Sequence, residues 1–164
     1  MPSPFKYIVV LDFEATCENG TKIAKQEIIE FPSVIVEVET CKIVDTFREY
    51  VKPVHNPRLS AFCTELTGIQ QAWVDEAQTF SVVMENHRQW LIKNQLLLPS
   101  GERSPVNTFT FLTCGDWDLN QMLPVQYKFL AGSDGKWPSY FCEWINIKKS
   151  FEQHYKVPAR GPRS

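Results

Sequence analysis

The sequence has no hydrophobic run long enough to cross a lipid bilayer, which takes about 20 residues. The apolar run near the N-terminus, residues 7–11, is short. It also lacks the charged segment followed by a long apolar region that marks a secretory signal. The sequence therefore predicts a cytoplasmic or nuclear protein with no membrane partner.

The cysteines form no C-x-x-C pair, and their number is odd. Neither a zinc site nor a disulfide framework is expected from such a pattern, which suits a reducing compartment. Each cysteine has apolar neighbours in the sequence, which predicts buried and unreactive thiols. The five positions are Cys17, Cys41, Cys63, Cys114 and Cys142.

An excess of positive charge is lacking as well, because the net charge is −2. Any nucleic-acid binding must therefore depend on a local basic patch. The 164 residues suffice for one domain with a sizeable core. A composition of 43% hydrophobic and 22% charged residues is that of a soluble globular protein, which excludes disorder and fibrous repeats.

The hydrophobic pattern predicts a meander of three antiparallel strands, followed by strands that alternate with helices. This order indicates an α/β fold with a mixed sheet. Pro32 falls within the second strand and predicts a bulge or an edge position there. The predicted strands are 7–13, 28–38, 43–51, 108–113 and 144–146. The predicted helices are 80–91 after the N-cap Thr79, one from Trp117 that Pro124 disturbs, and 148–155.

Two carboxylates end the first predicted strand. Asp12 and Glu14 lie two residues apart and so share one face of the strand, with Phe13 on the other. Two acids beside a buried strand repel each other unless a cation neutralises them, and oxygen ligands suit Mg²⁺ or Mn²⁺. The alternative is an ordinary Asp-x-Glu where a strand emerges into solvent.

A second acidic motif follows the strand at 108–113 and opens a helix. Ligands of open α/β sheets usually bind at such strand ends. Asp116 has a competing role as the helix N-cap, and Asp118 would be favoured in the first helical turn by the helix dipole alone. A third motif, residues 65–69, contains a glycine that permits close approach of a ligand, although it also reads as an ordinary turn. His87 falls on the apolar helix face, which predicts a core histidine.

Taken together and in this order, these motifs resemble the DEDDh 3′→5′ exonucleases, in particular the eukaryotic branch that trims histone mRNA and small RNAs. The resemblance extends over about residues 5–157. It rests on five blocks: Val-Leu-Asp-Phe-Glu-Ala-Thr-Cys at 10–17, Gln-Glu-Ile-Ile-Glu-Phe-Pro at 26–32, Phe-Cys-Thr-Glu-Leu-Thr-Gly-Ile at 62–69, Thr-Cys-Gly-Asp-Trp-Asp-Leu at 113–119 and Trp-Ile-Asn-Ile-Lys-Lys-Ser at 144–150.

The resemblance implies an RNase H-like fold, with a mixed five-stranded sheet flanked by helices. It also implies hydrolysis of RNA 3′ ends by two Mg²⁺ or Mn²⁺ ions. Asp12, Glu14 and Asp118 would be the catalytic metal ligands. Single-stranded RNA or an RNA 3′ overhang would be the substrate, and a nucleoside monophosphate the product. The terminal nucleotide would be held by Phe13, Ala15, Thr16, Leu66, Thr67 and Trp117.

One part of the family pattern has no counterpart in this sequence. The family has a histidine followed five residues later by an aspartate, and here no acid occurs after Glu152. We therefore expect residues 1–157 to be an exonuclease domain that lacks its C-terminal helix, followed by a basic tail at 158–164. Without the general base, water activation loses a contribution of about 10²–10⁴-fold, which predicts a weak nuclease. The alternatives are a non-catalytic RNA-binding or regulatory fragment, and a fragment that does not fold stably.

Overall fold

A computed structural model describes residues 3–160 as one mixed sheet with helices packed against it. Its strands are β1 Tyr7–Leu11, β2 Glu14–Ala15, β3 Ile28–Glu37, β4 Lys42–Tyr50, β5 Phe109–Thr113 and β6 Trp144–Asn146. Its α-helices are α1 Ala61–Thr67, α2 Gln71–Asp75, α3 Phe80–Lys93, α4 Leu123–Phe129 and α5 Ile147–Tyr155. A π-helical turn covers Asp118–Met122 and a 3₁₀ turn covers Ser139–Phe141. Within residues 3–160, none of the helices has the length and apolar character needed to cross a bilayer.

The sheet combines antiparallel and parallel pairs. The order of the strands across the sheet is β4, β3, β1, β5, β6. The short strand β2 continues the line of β1 and also pairs with β3. The three pairs made by β3 are antiparallel, whereas β1–β5 and β5–β6 are parallel. The predicted mixed α/β sheet is thus confirmed, with six strands instead of five because the first strand is broken into β1 and β2.

Pro32 does not have the position that the sequence predicts. It lies inside β3, which is paired on both sides, and its own partner on β4 is Arg48. The register shifts occur elsewhere, at Glu14/Ala15 and at Ile35/Val36. On the other side, Pro32 falls between the residues of β3 that pair with β1 and those that pair with β2. A proline is tolerated there because no N–H is needed for the ladder at that break.

The main core lies between the sheet and α3. The residues of α3 that repeat at spacings of three and four are buried, as the periodicity predicts, and Thr79 is the N-cap residue, although its side chain makes no capping bond. His87 is fully buried, and its Nε2 lies 3.0 Å from the Ser33 hydroxyl. The prediction of a core histidine is therefore confirmed.

A smaller cluster lies beneath α1 and α2, beside the start of β3. It consists of Ile29, Cys63, Ile69 and Val74, with Tyr50 packed at its edge. Ser60 caps α1 through the Cys63 N–H, and the Cys63 thiol points to the carbonyl of Ala15 at 3.7 Å. These contacts hold α1 next to the strand that carries Glu14.

The helix predicted from Trp117 begins as a π-helical turn. The N–H of Leu123 bonds to the carbonyl of Asp118, five residues earlier, and α4 follows with Pro124 in its first turn. Pro124 has no N–H to offer the carbonyl of Asn120, so the regular helical ladder is interrupted at this point. The predicted disturbance is therefore confirmed.

The prediction of five buried thiols is wrong. Cys63 is buried and Cys17 half-buried, but three are exposed, at Cys41, Cys114 and Cys142. Each of these three lies just outside a strand or helical turn, where apolar sequence neighbours do not enclose the side chain. Burial raises the pKa of the Cys17 thiol to about 12, so that group is unreactive as expected.

Candidate active site

Asp12 and Glu14 lie where the first strand is interrupted. β1 ends at Leu11, opposite Ser33, and β2 begins at Glu14, opposite Glu30. Between them the backbone N–H of Phe13 donates a hydrogen bond of 2.7 Å to Oδ1 of Asp118. The acidic motifs that follow β1 and β5 are therefore in direct contact, because these two strands are parallel neighbours that end at the same edge.

Asp118 is the buried acid of its motif, and Asp116 is not. Asp118 opens the π-helical turn with 3% of its surface exposed. The carboxylate of Asp116 accepts hydrogen bonds from Trp144 Nε1 at 3.1 Å and from Lys149 Nζ at 2.6 Å. Asp116 thus ties the loop after β5 to β6 and α5, and its side chain does not cap a helix. Asp118 remains the acid available to the site.

All three site carboxyls hold their protons more firmly than usual. Burial, which is the largest cause, and the charges of Asp12, Glu30 and Asp118 together raise the pKa of Glu14 to about 7. Burial raises the pKa of Asp118 to about 6, although the hydrogen bond from Phe13 acts in the opposite direction. Burial and the charge of Glu30 raise the pKa of Asp12. Negative charges are thus concentrated with too little positive charge beside them.

The donor chemistry of this edge fits a divalent cation. No Lys, Arg or His in residues 3–160 forms an ion pair with Asp12, Glu14 or Asp118. Carboxylate oxygens are the ligands that Mg²⁺ and Mn²⁺ prefer. Over the same residues, however, no group of three or more His, Cys, Asp or Glu side chains is arranged to hold a metal ion. In these side-chain positions the three carboxylates therefore do not yet form a complete cation site.

Glu30 is a fourth acid at this edge, which sequence reasoning missed. It is buried, it pairs across the sheet with Glu14, and its charge raises the pKa of both Asp12 and Glu14. Arg48 of β4 forms an ion pair with it. The available sequence signal was a single acid, Glu30, among the apolar residues at the start of β3. Its position opposite Glu14 follows from the register of β2 with β3, which the sequence alone does not give.

The residues predicted to hold a nucleotide divide into exposed and buried ones. Leu66 is 62% exposed and Trp117 is 36% exposed. The Thr67 hydroxyl donates to the carbonyl of Cys63 and accepts the N–H of Ile69, so it fixes the end of α1. The structure therefore leaves Leu66 and Trp117 free to contact a ligand with their side chains.

Phe13, Ala15 and Thr16 are buried. The ring of Phe13 lies 4.7 Å from that of Phe31, edge to face, on the core side of the sheet. The Thr16 hydroxyl accepts the N–H of Glu27. The ring of Phe13 therefore packs in the core, whereas its backbone N–H faces Asp118, and its part in nucleotide binding stays a prediction.

The family of this chain is shown by comparison with known proteins. Residues 9–161 match the exonuclease family RNase_T. The chain belongs to that family.

Named relatives agree with this assignment. A human ERI1 exoribonuclease 3 is 45% identical over 150 residues, which are 92% of this chain and 42% of that protein. A human 3′-5′ exoribonuclease 1 is 41% identical over 157 residues, which are 95% of this chain and 42% of that protein. This chain thus spans about two fifths of the length of the curated relatives it matches.

Solved structures match the fold. The nuclease domain of 3′hExo, a DEDDh family member bound to rAMP, gives a TM-score of 0.85 at 40% identity, over 96% of this chain and 74% of that one. A second structure shows 3′-end-specific recognition of the histone mRNA stem-loop by a 3′-exonuclease. It gives a TM-score of 0.84 at 39% identity, over 96% of this chain and 66% of that one.

Proposed function

We propose that these residues belong to a 3′→5′ exoribonuclease that removes nucleoside monophosphates from single-stranded RNA or from an RNA 3′ overhang. The observation that supports this most directly is the hydrogen bond between Phe13 and Asp118. It brings an acid from the end of β5 into contact with the acidic end of β1. The named relatives are exoribonucleases, and two similar structures are described with rAMP and with an RNA stem-loop.

In this proposal Asp12, Glu14 and Asp118 hold Mg²⁺ or Mn²⁺, two ions per complete site. When bound, such a pair of ions stabilises the attacking and leaving oxygens of phosphodiester hydrolysis. The terminal nucleotide is held between the exposed side chains of Trp117 and Leu66. The adjoining surface of the pocket is formed by Thr67 and by the backbone from Phe13 to Thr16. We place the protein in the cytoplasm or the nucleus, which the lack of paired cysteines supports.

No histidine of residues 3–160 forms a hydrogen bond or ion pair with Asp12, Glu14 or Asp118. His87 is buried, and burial lowers its pKa to about 3. His55 lies 3.1 Å from the carbonyl of Phe129. His154 lies on α5 against Tyr155. We therefore expect residues 1–164 to bind cation and nucleotide by themselves, and to hydrolyse RNA efficiently only in a form that also carries a His-x-x-x-x-Asp segment.

The test is a trimming assay on 5′-labelled single-stranded RNA with Mn²⁺. The chain of 164 residues should give little product, and a form extended by a helix bearing the histidine and the aspartate should give a ladder of shortened products. Asp12→Asn in the extended form should abolish the ladder by removing a metal ligand. Residues that act as a unit lose activity together, so a proportional remainder is not expected.

Two outcomes would contradict this account. Strong trimming by the unextended chain, lost in Asp12→Asn, would show that another residue supplies the base. Binding of AMP without trimming by either form would instead identify an RNA-binding protein that does not hydrolyse its ligand.

A further inference from the structure

A row of side chains leads away from the candidate active site across three strands. Glu14 of β2 pairs with Glu30 of β3, and Glu30 pairs with Tyr50 of β4. The ring of Tyr50 is stacked on that of Trp73 from α2, with 5.3 Å between centroids and 28° between planes. Trp73 is 45% exposed. Tyr50 is half-buried and stands on the same face of the sheet as Glu14 and Glu30, with the exposed ring of Trp73 stacked on it.

Arg48 lies over the ring of Tyr50. Its guanidinium lies 5.3 Å from the centre of the Tyr50 ring, its Nη2 donates to the Tyr50 hydroxyl at 3.0 Å, and its Nε pairs with Glu30. The side chain is nevertheless 62% exposed. A guanidinium has five N–H donors, and these contacts use two, so three remain for a ligand. We call Arg48, Tyr50 and Trp73 the ledge.

Packing accounts for only part of the ledge. Tyr50 is at the edge of the small cluster beneath α1 and α2, where burial is reason enough for an aromatic residue. The same reason does not apply to the outer surface of Trp73 or to the free donors of Arg48. An exposed aromatic ring beside an arginine is the combination that binds single-stranded nucleic acid, with bases on the ring and phosphate on the cation.

We propose that the ledge binds the nucleotides that precede the 3′ end of a single-stranded RNA. This inference rests on the proposed exoribonuclease function. Two interstrand spacings of about 4.8 Å separate Glu14 from Tyr50, or about 10 Å in all. Stacked bases rise about 3.4 Å each, so the ledge lies about three bases from the carboxylates. A strand whose 3′ end lies beside the carboxylates therefore reaches the ledge with about its third or fourth nucleotide.

The charges around the ledge decide which part of the nucleotide lies where. Glu76 lines the same depression as Tyr50 and Trp73, and it repels a phosphate. Glu49 lines the same depression, and its carboxylate accepts hydrogen bonds from Asn86 of α3. Arg48 is not among the residues that line this depression, so the base is placed on Trp73 and the phosphate at Arg48, apart from the two acids.

The test measures binding as a function of RNA length. AMP and oligoadenylates of two, four and eight nucleotides with a terminal phosphorothioate linkage are titrated into the protein in the presence of Mn²⁺. Affinity should rise between two and four nucleotides. Trp73→Ala should weaken binding of the two longer oligomers by roughly 5- to 150-fold, the effect of one lost stacking contact, and leave AMP and the dimer within twofold.

Two further variants separate the base contact from the phosphate contact. Arg48→Gln should reduce the slope of log affinity against log salt for the four-nucleotide RNA by about 0.7, the value for one phosphate contact on a single strand. Tyr155→Ala removes an aromatic side chain that is 60% exposed on α5, and it serves as the matched control with unchanged binding. Urea midpoints verify that each variant is folded.

Each other result counts against a defined part of the proposal. If the affinity of Trp73→Ala depends on RNA length as that of the parent protein does, the ledge does not bind RNA. Its exposed surface would then be assigned to a protein partner. Loss of AMP binding in folded Trp73→Ala would also overturn it, because Trp73 would then act through the site itself. If affinity rises with RNA length but AMP does not bind, the result contradicts the proposed exoribonuclease function and supports RNA binding by the ledge. Absence of all RNA binding would reject both.

Discussion

The backbone N–H of Phe13 donates to Oδ1 of Asp118 across 2.7 Å, and it joins two segments 105 residues apart in the sequence. The bond lies in the break between β1 and β2, where the N–H would otherwise lack a partner in the sheet. One oxygen of a site acid is thereby engaged in holding the strand end in place. Asp118 consequently contributes both to stability and to the proposed cation site.

The two contributions of Asp118 can be separated by substitution. Asp118→Ala leaves the buried N–H of Phe13 without an acceptor, so we predict a loss of about 1–3 kcal/mol in the free energy of unfolding. Asp118→Asn keeps a carbonyl oxygen and removes the charge, so its stability should remain within about 1 kcal/mol of the parent. Urea unfolding measures both. A calorimetric Mn²⁺ titration should show weakened cation binding in the two variants alike.

Equal stability of the alanine and asparagine variants would contradict this view of the hydrogen bond. Retention of full Mn²⁺ affinity in both would instead remove Asp118 from the cation site.

Local sequence patterns were sufficient to find the acids that end strands. Five apolar residues before Asp12 predict a central strand, and a carboxylate that directly follows such a strand lies at its exposed end. The helical spacing that includes His87 likewise predicts its burial. In each case the decisive information lies within one element, so periodicity alone carries it.

Features that depend on pairing between distant segments could not be predicted in this way. The Glu30–Arg48 pair and the row from Glu14 to Tyr50 follow from the register of β3 with its two neighbours. Burial of the Phe13 ring against Phe31 depends on the same register. The alternation within one strand shows which residues share a face, but the partner of each residue follows only from the pairing of two strands.

Glu14 should make the protein less stable as the pH rises. Its pKa is raised from 4.5 to about 7, so the folded protein retains a proton that the unfolded chain releases in this window. The free energy of unfolding therefore decreases from about pH 4.5 to 7. Full conversion of the shift gives about 3 kcal/mol, and solvent screening of a half-exposed carboxyl reduces this to about 1 kcal/mol.

The measurement is urea unfolding of the parent and Glu14→Gln between pH 4.5 and 8. The glutamine variant should not show this decrease. Its free energy of unfolding, measured relative to that of the parent, should therefore be higher at pH 8 than at pH 5. Added Mn²⁺ should stabilise the parent more than the variant, because a bound cation offsets the repulsion among the carboxylates. Parallel pH profiles without Mn²⁺ would show that Glu14 titrates normally.

His87 should act on stability in the opposite direction at acidic pH. Burial lowers its pKa to about 3, so between pH 6.5 and 3 the unfolded chain binds a proton that the folded protein does not. The free energy of unfolding due to this group therefore falls as the pH drops below 6.5. His87→Leu should abolish the fall, but it leaves the Ser33 hydroxyl without its partner and costs about 1–3 kcal/mol at pH 7.

The double variant Ser33→Ala/His87→Leu provides the control, because it removes both polar groups and should recover most of that loss. Urea unfolding at pH 5 and pH 7 decides the matter. A single variant as stable as the double one would mean that the hydroxyl of Ser33 finds another partner in the core.

Trp117 should contribute to nucleotide binding more than to stability. It immediately precedes the buried Asp118, yet 36% of its own surface is exposed. We predict that Trp117→Ala weakens binding of AMP in the presence of Mn²⁺ by about 1–3 kcal/mol, the range for one base–aromatic contact. Trp117→Phe keeps an aromatic face and should retain most of the affinity. Fluorescence or calorimetric titration measures binding, and urea unfolding shows whether each variant is folded. If AMP affinity is unchanged in a folded alanine variant, Trp117 serves only to pack the start of the π-helical turn, and the terminal nucleotide is held without it.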